Sequence, residues 1–177
     1  MEFLEVLNNR RSIRQYENCK VSSDTIKILI ESAQKAPSWK NSQVSRYYAV
    51  NTPEKLADIK EFLPEFNQNN TLNAGAYIIS TVENGKSGFT KDGEFSSHLK
   101  DGFQFFDNGL QVENLCLSAQ NLGLGTLIMG LYDEEKIREY FNIPNSQIIV
   151  CVISVGKPAI NPTMPTRKNV DDILTIL

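Results

Sequence analysis

Three arginines and a serine lie within five residues, in the run Arg10-Arg11-Ser12-Ile13-Arg14. An arginine side chain stays charged, binds phosphate through paired hydrogen bonds and stacks on flat rings, and a serine hydroxyl adds another donor. In an extended segment alternate side chains point the same way, so Arg10, Ser12 and Arg14 can converge on one anion. The run predicts an anion-binding loop, and a solvated basic turn is the alternative that these residues leave open.

A second candidate surface is the strip 36–43, Ala-Pro-Ser-Trp-Lys-Asn-Ser-Gln, which holds the only tryptophan of the chain, Trp39. Most of its side chains form hydrogen bonds, and Pro37 stops the helical pattern before it. This composition is typical of a ligand-facing loop rather than a buried hairpin.

The composition narrows the class of partner. The chain has 177 residues, is 41% hydrophobic and carries 18 basic and 21 acidic residues, for a net charge of −3. This length predicts one domain. The acidic balance argues against a nucleic-acid surface, which needs broad positive charge, and no apolar run predicts a membrane span. The arginine cluster therefore predicts a small anionic ligand.

Cysteine and histidine usage argues against a metal centre. The three cysteines, Cys19, Cys116 and Cys151, are far apart, and His98 is the only histidine. No CxxC spacing occurs, so we expect neither zinc nor an iron–sulfur cluster. We expect reduced thiols in a cytoplasmic protein without a signal peptide, with Cys116 and Cys151 in the core and His98 on the surface.

Periodicity predicts the elements that position these residues. Helices are predicted at 2–9, with Phe3, Leu4 and Leu7 on its buried face, and at 21–36, 53–63, 103–122 and 133–140. Strands are predicted at 46–51, 76–82 and 148–155, with a short apolar segment at 127–130. The regions 64–73 and 83–102 are predicted loops, and the second is long enough for a lid or binding loop. Helix 103–122 is apolar on most sides, which predicts a central or interface position.

This pattern predicts an α+β or α/β layered domain. No GxGxxG follows a strand and no GxxxxGK[ST] occurs, so neither a Rossmann dinucleotide site nor a P-loop is supported.

Four stretches, in this order, resemble the short single-domain members of the FMN-dependent nitroreductases. They are Arg10-Arg11-Ser12-Ile13-Arg14, the strip 36–43, Asn121-Leu122-Gly123-Leu124-Gly125-Thr126, and Val155-Gly156-Lys157-Pro158 followed by Arg167-Lys168. The resemblance implies an α+β fold whose central, mostly antiparallel sheet is flanked by helices, in an intertwined homodimer with FMN at the interface. Residues 1–177 would form a single FMN-binding domain, with a tail at 158–177 that reaches the partner subunit.

The resemblance also implies roles for particular residues. The positions that bind the FMN phosphate are matched by Arg10, Ser12, Arg167 and Lys168. Arg14 matches a basic position near N1 and O2 of the flavin ring, and Arg11 matches a position against the ring. The strip that the second subunit contributes is matched by Pro37, Ser38, Trp39 and Asn41. Asn67 and Asn70 match positions that contact the pyrimidine edge of the ring. The segment whose backbone N–H approaches N5 is matched by Ile128, Met129 and Gly130. Some relatives have glutamate in place of Met129, and many have Ala-Pro in place of Ala74-Gly75.

The implied function is an FMN-dependent oxidoreductase. NADH or NADPH would reduce the flavin, and nitroaromatics, quinones or related conjugated acceptors would reoxidise it by a ping-pong mechanism, without a catalytic protein side chain. The sequence does not select between the two donors or name the acceptor. The alternatives are another flavin role on the same fold, such as a dehalogenase, an ene-type reductase, an FMN carrier or a redox sensor, and an RNA- or anion-binding module.

Overall fold

Four antiparallel strands form one sheet, and helices cover both of its faces, in a computed structural model that describes residues 2–177. The strands are β1 (Ser45–Val50), β2 (Ala76–Glu83), β3 (Gly125–Met129) and β4 (Gln147–Gly156). The helices are α1 (Phe3–Asn9), α2 (Ser23–Ala33), α3 (Pro53–Glu61), α4 (Glu65–Asn70), α5 (Gly102–Asn121) and α6 (Glu134–Phe141). Short 3-10 turns occur at Trp39–Asn41 and Val170–Asp172. The predicted α+β class with a central antiparallel sheet is confirmed.

The strand order β1-β2-β4-β3 places the two most apolar strands in the middle of the sheet. Ile78 of β2 lies opposite Ile153 of β4, and Ile128 of β3 lies opposite the same residue from the other side. Strands buried on both faces have continuous rather than alternating apolar sequences, as β2 and β4 do. β3 is left at an edge of the sheet, where its outer side can take another segment of chain.

Each face of the sheet has its own apolar core. On one face, Leu29 of α2 and Leu115 of α5 pack with Ile153, and this cluster includes Cys116 and Cys151, as predicted. On the other face, Ile59 of α3 and Ile137 of α6 pack against the sheet, and Met129 belongs to that second cluster. Val152 of β4 also belongs to the second cluster, while its neighbour Ile153 belongs to the first, as the two-residue period of a strand requires.

Local capping explains several helix ends. The Ser22 hydroxyl accepts a hydrogen bond from the Thr25 N–H at 3.0 Å, and the Asp133 carboxylate accepts one from the Lys136 N–H at 3.1 Å. These two caps start α2 at Ser23 and α6 at Glu134, within two residues of the starts predicted at 21 and 133. The long α5 is followed by Gly123 in the left-handed region, with φ of 74°, as expected for a glycine just after a helix.

The prediction of a loop at 64–73 was wrong, because residues 65–70 form α4. Pro64 starts the helix in an extended conformation, and the Gln68 side chain donates to the Leu63 carbonyl oxygen at 2.8 Å. The Thr71 hydroxyl closes the other end by donating to the Asn67 carbonyl oxygen at 2.7 Å. The asparagine-rich composition suggested a loop, whereas these hydrogen bonds at the two ends of the helix outweigh its low helix propensity.

The expected buried face of α1 needs correction, and the buried face of α5 has a polar half that was not predicted. Phe3 and Leu4 are 66% and 68% exposed, and Val6 is the residue of α1 that is buried. The buried side of α5 is polar over its first half, through Gln104, Asp107, Asn108 and Gln111, while Phe106 faces outward. The apolar residues of α1 and of the first half of α5 therefore remain on the surface of the single chain.

Two long segments lack regular structure. The 84–101 loop, predicted as irregular, contains an isolated bridge between Phe89 and Phe95 and otherwise neither helix nor strand. The tail beyond Pro158 is largely exposed and has one short 3-10 turn. Within residues 2–177 no helix has the length and apolar character needed to cross a membrane.

Candidate functional site

The arginine loop, residues 10–17, is fixed against the free edge of β3. The Ile13 N–H donates to the Thr126 carbonyl oxygen at 2.9 Å, within a parallel bridge between Ser12 and Thr126. A β-carbon on Gly125 would overlap the Ile13 side chain. The loop therefore approaches β3 more closely than any residue other than glycine at position 125 would allow. The alternation of side chains along an extended segment then turns Ile13 inward and leaves Ser12 and Arg14 exposed.

Tyr16 anchors the far end of the loop. Its hydroxyl donates to the Ile13 carbonyl oxygen at 3.0 Å and shares a 2.9 Å hydrogen bond with the Ser154 hydroxyl of β4. Burial raises the pKa of the Tyr16 phenol, so it stays neutral and keeps its proton for these bonds. The sheet therefore holds the loop at Ile13 and at Tyr16.

The arginines of this loop surround a cavity of about 150 Å³, here called the arginine hollow. It is lined by Arg10, Arg11, Ser12, Arg14, Pro162, Thr163, Pro165 and Arg167. Four arginines and no acid among eight lining residues give a strongly positive site in a chain of negative net charge. Lys168, expected to bind the same phosphate, is not among the lining residues.

The guanidinium groups in the hollow differ in how far they are satisfied. Arg10 Nε lies 3.6 Å from the Glu113 carboxylate of α5. Arg11 donates from Nη1 to the Arg10 carbonyl oxygen at 2.7 Å, and its buried Nε finds no acceptor among residues 2–177. A buried donor without a partner is costly unless a ligand supplies the acceptor. The arrangement therefore suits an anion with several oxygen atoms.

A second cavity of about 320 Å³, here called the apolar slot, lies between α5 and β3. It is lined by Phe105, Asn108, Gly109, Val112, Glu113, Ile128, Gly130, Val150 and Cys151. A β-carbon on Gly109 or Gly130 would meet no atom within 4 Å, so the space above both residues is open. The ion pair between Arg10 and Glu113 joins the two cavities, because each partner lines one of them.

The backbone of β3 offers donors only from alternate residues. The Thr126 carbonyl oxygen points to the outer edge, so the backbone groups of Ile128 point there too, while those of Met129 face β4. The Ile128 side chain is 47% exposed and lines the slot, whereas Met129 is 3% exposed and packs in the opposite core. Residues 128–130 were all expected to contact the ligand, but the Met129 side chain is directed away from the slot.

The two candidate asparagines lie on α4, outside both cavities. Asn67 is buried and donates from Nδ2 to the Leu131 carbonyl oxygen at 3.4 Å, which ties α4 to the segment just after Gly130. Asn70 is half-buried in the last turn of the helix.

The strip 36–43 does not reach either cavity of its own chain. Pro37 and Asn41 are exposed, and Ser38 is half-buried. The Trp39 ring packs 4.2 Å from the Phe103 ring, centroid to centroid. A single chain therefore does not bring the strip and the arginine loop onto one ligand.

Sequence reasoning missed two acidic residues of α5. Glu113 pairs with Arg10, and the buried Asp107 binds the strip through hydrogen bonds to Trp39 and Ser42. A signal was present, because these are the only two ionisable carboxylates in a 20-residue helix that has no lysine or arginine. A charged residue that stands alone in a partly buried helix usually has a specific partner.

The sequence profile of the nitroreductase family matches residues 7–157. The chain belongs to the nitroreductase family. The resemblance drawn from the four motifs is thereby confirmed, and the matched range includes the arginine loop, the strip, α5 and β3.

Nitroreductase-family relatives resemble the chain over most of its length. A protein of Methanothermobacter thermautotrophicus, named as a candidate NADH dehydrogenase/NAD(P)H nitroreductase, is 30% identical over 166 residues and covers 92% of this chain and 80% of its own. The candidate NAD(P)H nitroreductase YdgI of Bacillus subtilis is 28% identical, with 97% and 96% covered. The structure of a candidate nitroreductase from Exiguobacterium sibiricum in complex with FMN has the same fold, with a TM-score of 0.83, 23% identity and 100% and 98% covered.

Proposed function

We propose that this chain is an FMN-dependent oxidoreductase that takes electrons from NADH or NADPH and passes them to small conjugated acceptors, such as nitroaromatics and quinones. The observation that carries the proposal is the arginine hollow joined to the apolar slot through Arg10 and Glu113. A phosphate-binding site beside an apolar slot matches a ligand with a phosphate at one end and a flat ring at the other.

The residues present fit FMN. Arg10, Arg11, Ser12 and Arg167 would hold the phosphate, and the free Nε of Arg11 supplies a donor for one of its oxygens. The ring would lie in the apolar slot over Gly109 and Gly130, where no side chain blocks it. Asn67 and Asn70 line neither cavity, so their proposed contact with the pyrimidine edge would need the ring to extend beyond the slot. The backbone N–H of Ile128 or Gly130, rather than the side chain of Met129, would approach N5.

When bound, FMN supplies the redox chemistry, because its ring takes a hydride from NAD(P)H and returns two electrons to an acceptor. The protein contributes position and charge. Arg14 lines the hollow rather than the slot, and its fixed positive charge would favour the electron-rich form of a ring bound next to it. No acid–base side chain is required, and donor and acceptor would use the same ring face in turn, giving ping-pong kinetics.

The complete site would need two copies of the chain. The strip residues Pro37, Ser38, Trp39 and Asn41 would come from the partner subunit, since they do not reach the cavities of their own chain. The 158–177 tail of the single domain would also reach the partner. Its exposed apolar side chains, such as Ile173 at 70% exposure, support this placement because they have no cover in one chain.

The proposed location is the cytoplasm, where NADH and NADPH are available. The cysteines Cys19, Cys116 and Cys151 are all free, which suits a reducing compartment.

Steady-state kinetics on the FMN-loaded protein would test the proposal. We expect oxidation of NADH or NADPH that depends on an added nitroaromatic or quinone, with parallel lines in double-reciprocal plots for donor and acceptor. Bound FMN without such turnover would contradict the oxidoreductase assignment and favour an FMN carrier or redox sensor. Turnover with a halogenated aromatic acceptor alone would favour a dehalogenase.

A further inference from the structure

Asp107 of α5 is a buried carboxylate without a cationic partner. It is 1% exposed, and no salt bridge within residues 2–177 involves it. Its oxygens accept hydrogen bonds from the Trp39 N–H at 3.0 and 3.1 Å, from the Ser42 hydroxyl at 3.1 Å and from the Ser87 hydroxyl at 2.6 Å. A buried charge is costly, so it is retained only where several donors converge on it.

A carboxylate is the side chain that meets all these donors. It accepts at both oxygens and donates from neither, whereas the amide of an asparagine would turn an NH₂ group toward one of the donors. The neighbouring Asn108 shows the contrast, because it donates to the hydroxyls of Ser45 and Ser80. The carboxylate of Asp107 can therefore accept hydrogen bonds from three separate donors at once.

The donors belong to two segments that are distant in sequence. Trp39 and Ser42 lie in the strip, and Ser87 lies in the 84–101 loop. The strip has left-handed backbone at Lys40, Asn41 and Gln43, with φ of 46°, 56° and 48°. Residues other than glycine adopt this conformation only where their surroundings hold them. The Asp107 carboxylate stabilises this conformation by binding both ends of the turn, at the Trp39 N–H and at the Ser42 hydroxyl.

The same contacts fix the position of the indole. The Trp39 ring packs against Phe103, one helical turn before Asp107, and its buried Nε1 has no acceptor among the described residues. Two contacts therefore position the indole. Its ring packs against Phe103, and the backbone N–H of Trp39 donates to the Asp107 carboxylate.

We infer that Asp107 is the positioning residue of the strip and that, through Ser87, it couples the strip to the 84–101 loop. The functional meaning of this coupling rests on the proposed function, in which the strip faces the partner's FMN. A displacement of the loop would break the 2.6 Å bond to Ser87 and loosen the carboxylate that holds Trp39. The loop and the ring-facing strip would then move together.

The single tryptophan gives a readout that does not depend on catalysis. Asp107→Asn, Ser87→Ala and Ser42→Ala each weaken the cluster, and Tyr47→Phe is the matched control. Tyr47→Phe removes a partly buried hydrogen bond of 2.9 Å to Gln111 of α5 without touching the strip. The emission maximum and anisotropy of Trp39 are measured on each folded protein, alongside its thermal stability.

We expect Asp107→Asn to shift Trp39 emission to longer wavelength and lower its anisotropy, and Ser87→Ala to shift both in the same direction by less. Tyr47→Phe should lose stability and leave Trp39 emission unchanged. In the FMN-loaded enzyme, Asp107→Asn should lower kcat/KM for the acceptor by roughly ten- to hundredfold, since small misplacements are costly. The half-reaction with NAD(P)H should change less.

Unchanged Trp39 emission in Asp107→Asn would overturn the positioning role, and unchanged emission in Ser87→Ala would overturn the coupling. If Asp107→Asn does not fold, the Ser42→Ala and Ser87→Ala variants decide the same question. A Trp39 response in a protein that takes up no FMN would refute the proposed function and leave the positioning role standing.

Discussion

At the scale of single residues, Arg10 links the two halves of the site. Its guanidinium lines the arginine hollow, and its Nε lies 3.6 Å from Glu113, which lines the apolar slot. The pair is partly exposed, so its own contribution to stability is small. Its role is to fix the direction of the guanidinium, which leaves the remaining donors free for an anion.

We predict that Arg10→Ala weakens FMN binding by roughly ten- to hundredfold, because a charge-assisted contact of about 1.5–3 kcal/mol is lost. Lys168→Ala is the control, since Lys168 does not line the hollow in the single chain. Isothermal titration of both apoproteins with FMN measures the two affinities. Equal losses in the two variants would place the phosphate elsewhere.

The buried thiols predict a pH dependence of stability. Burial raises the pKa of Cys116 to about 11 and that of Cys151 to about 12, while the unfolded thiols have a pKa of about 8.5. The raised values mean that the folded chain keeps protons that the unfolded chain loses. This stabilisation is complete below about pH 8.5 and falls as the pH rises toward 11.

Urea unfolding between pH 8 and pH 10 measures this dependence. We expect the free energy of unfolding to decrease with pH, and to decrease less steeply in Cys116→Ala than in the wild type. The half-buried tyrosines contribute mainly at higher pH, since partial burial raises the pKa of Tyr47 and Tyr132 to about 12. Identical slopes in the two proteins would contradict the assignment to Cys116.

At the scale of elements, local signals predicted most of the fold. The apolar run of β4, the caps Ser22 and Asp133 and the glycine after α5 act within a few residues of the boundaries they set. The α4 helix was missed because the contacts that hold it come from its ends and from tertiary packing, as the bond of Tyr77 to Thr71 illustrates. The polar buried face of α5 was missed because its partners lie on four other segments, namely the strip, β1, β2 and the 84–101 loop.

Packing between the arginine loop and β3 gives an element-scale prediction. A β-carbon at Gly125 would overlap Ile13 and lie 3.1 Å from Pro158, so Gly125→Ala must push the loop off the strand. We expect a loss of about 1–3 kcal/mol in stability, as for other overpacked sites, together with weaker FMN retention. Urea unfolding and dialysis of the loaded protein measure the two effects.

Gly102→Ala is the matched control for this substitution. Its β-carbon would meet only Leu99 at 3.6 Å, an ordinary contact at the start of α5. It should leave both stability and FMN retention close to those of the wild type. A Gly125→Ala protein that behaves like this control would show that the close approach of loop and strand is not needed.

At the scale of the whole molecule, the candidate site was predictable only in part. The arginine loop and Arg167 meet in one chain because β3 and the tail bring them together. The strip lies elsewhere, and in the proposed site it would meet the flavin only through a second subunit, which no pattern within one chain can position. The exposed Phe3, Leu4 and Phe106 mark surfaces that a partner would cover.

We predict a dimer at sub-micromolar concentration whose FMN sites are shared between subunits. A mixed dimer of Arg10→Ala and Trp39→Ala chains would then contain one intact site, formed by the unchanged residue of each chain. Activity should therefore reappear when two impaired homodimers exchange subunits. No recovery in a verified mixed dimer would mean that both residues serve the site of their own chain.

The central claim is that the joined cavities hold FMN that NAD(P)H reduces. Anaerobic titration of the purified, FMN-loaded protein, followed by its visible absorption, tests this most directly. We expect the bands of oxidised flavin to bleach with about one equivalent of NADH or NADPH per FMN and to return when a quinone is added. A protein that retains no FMN after loading, or whose flavin bands stay unchanged with both donors, would contradict the account.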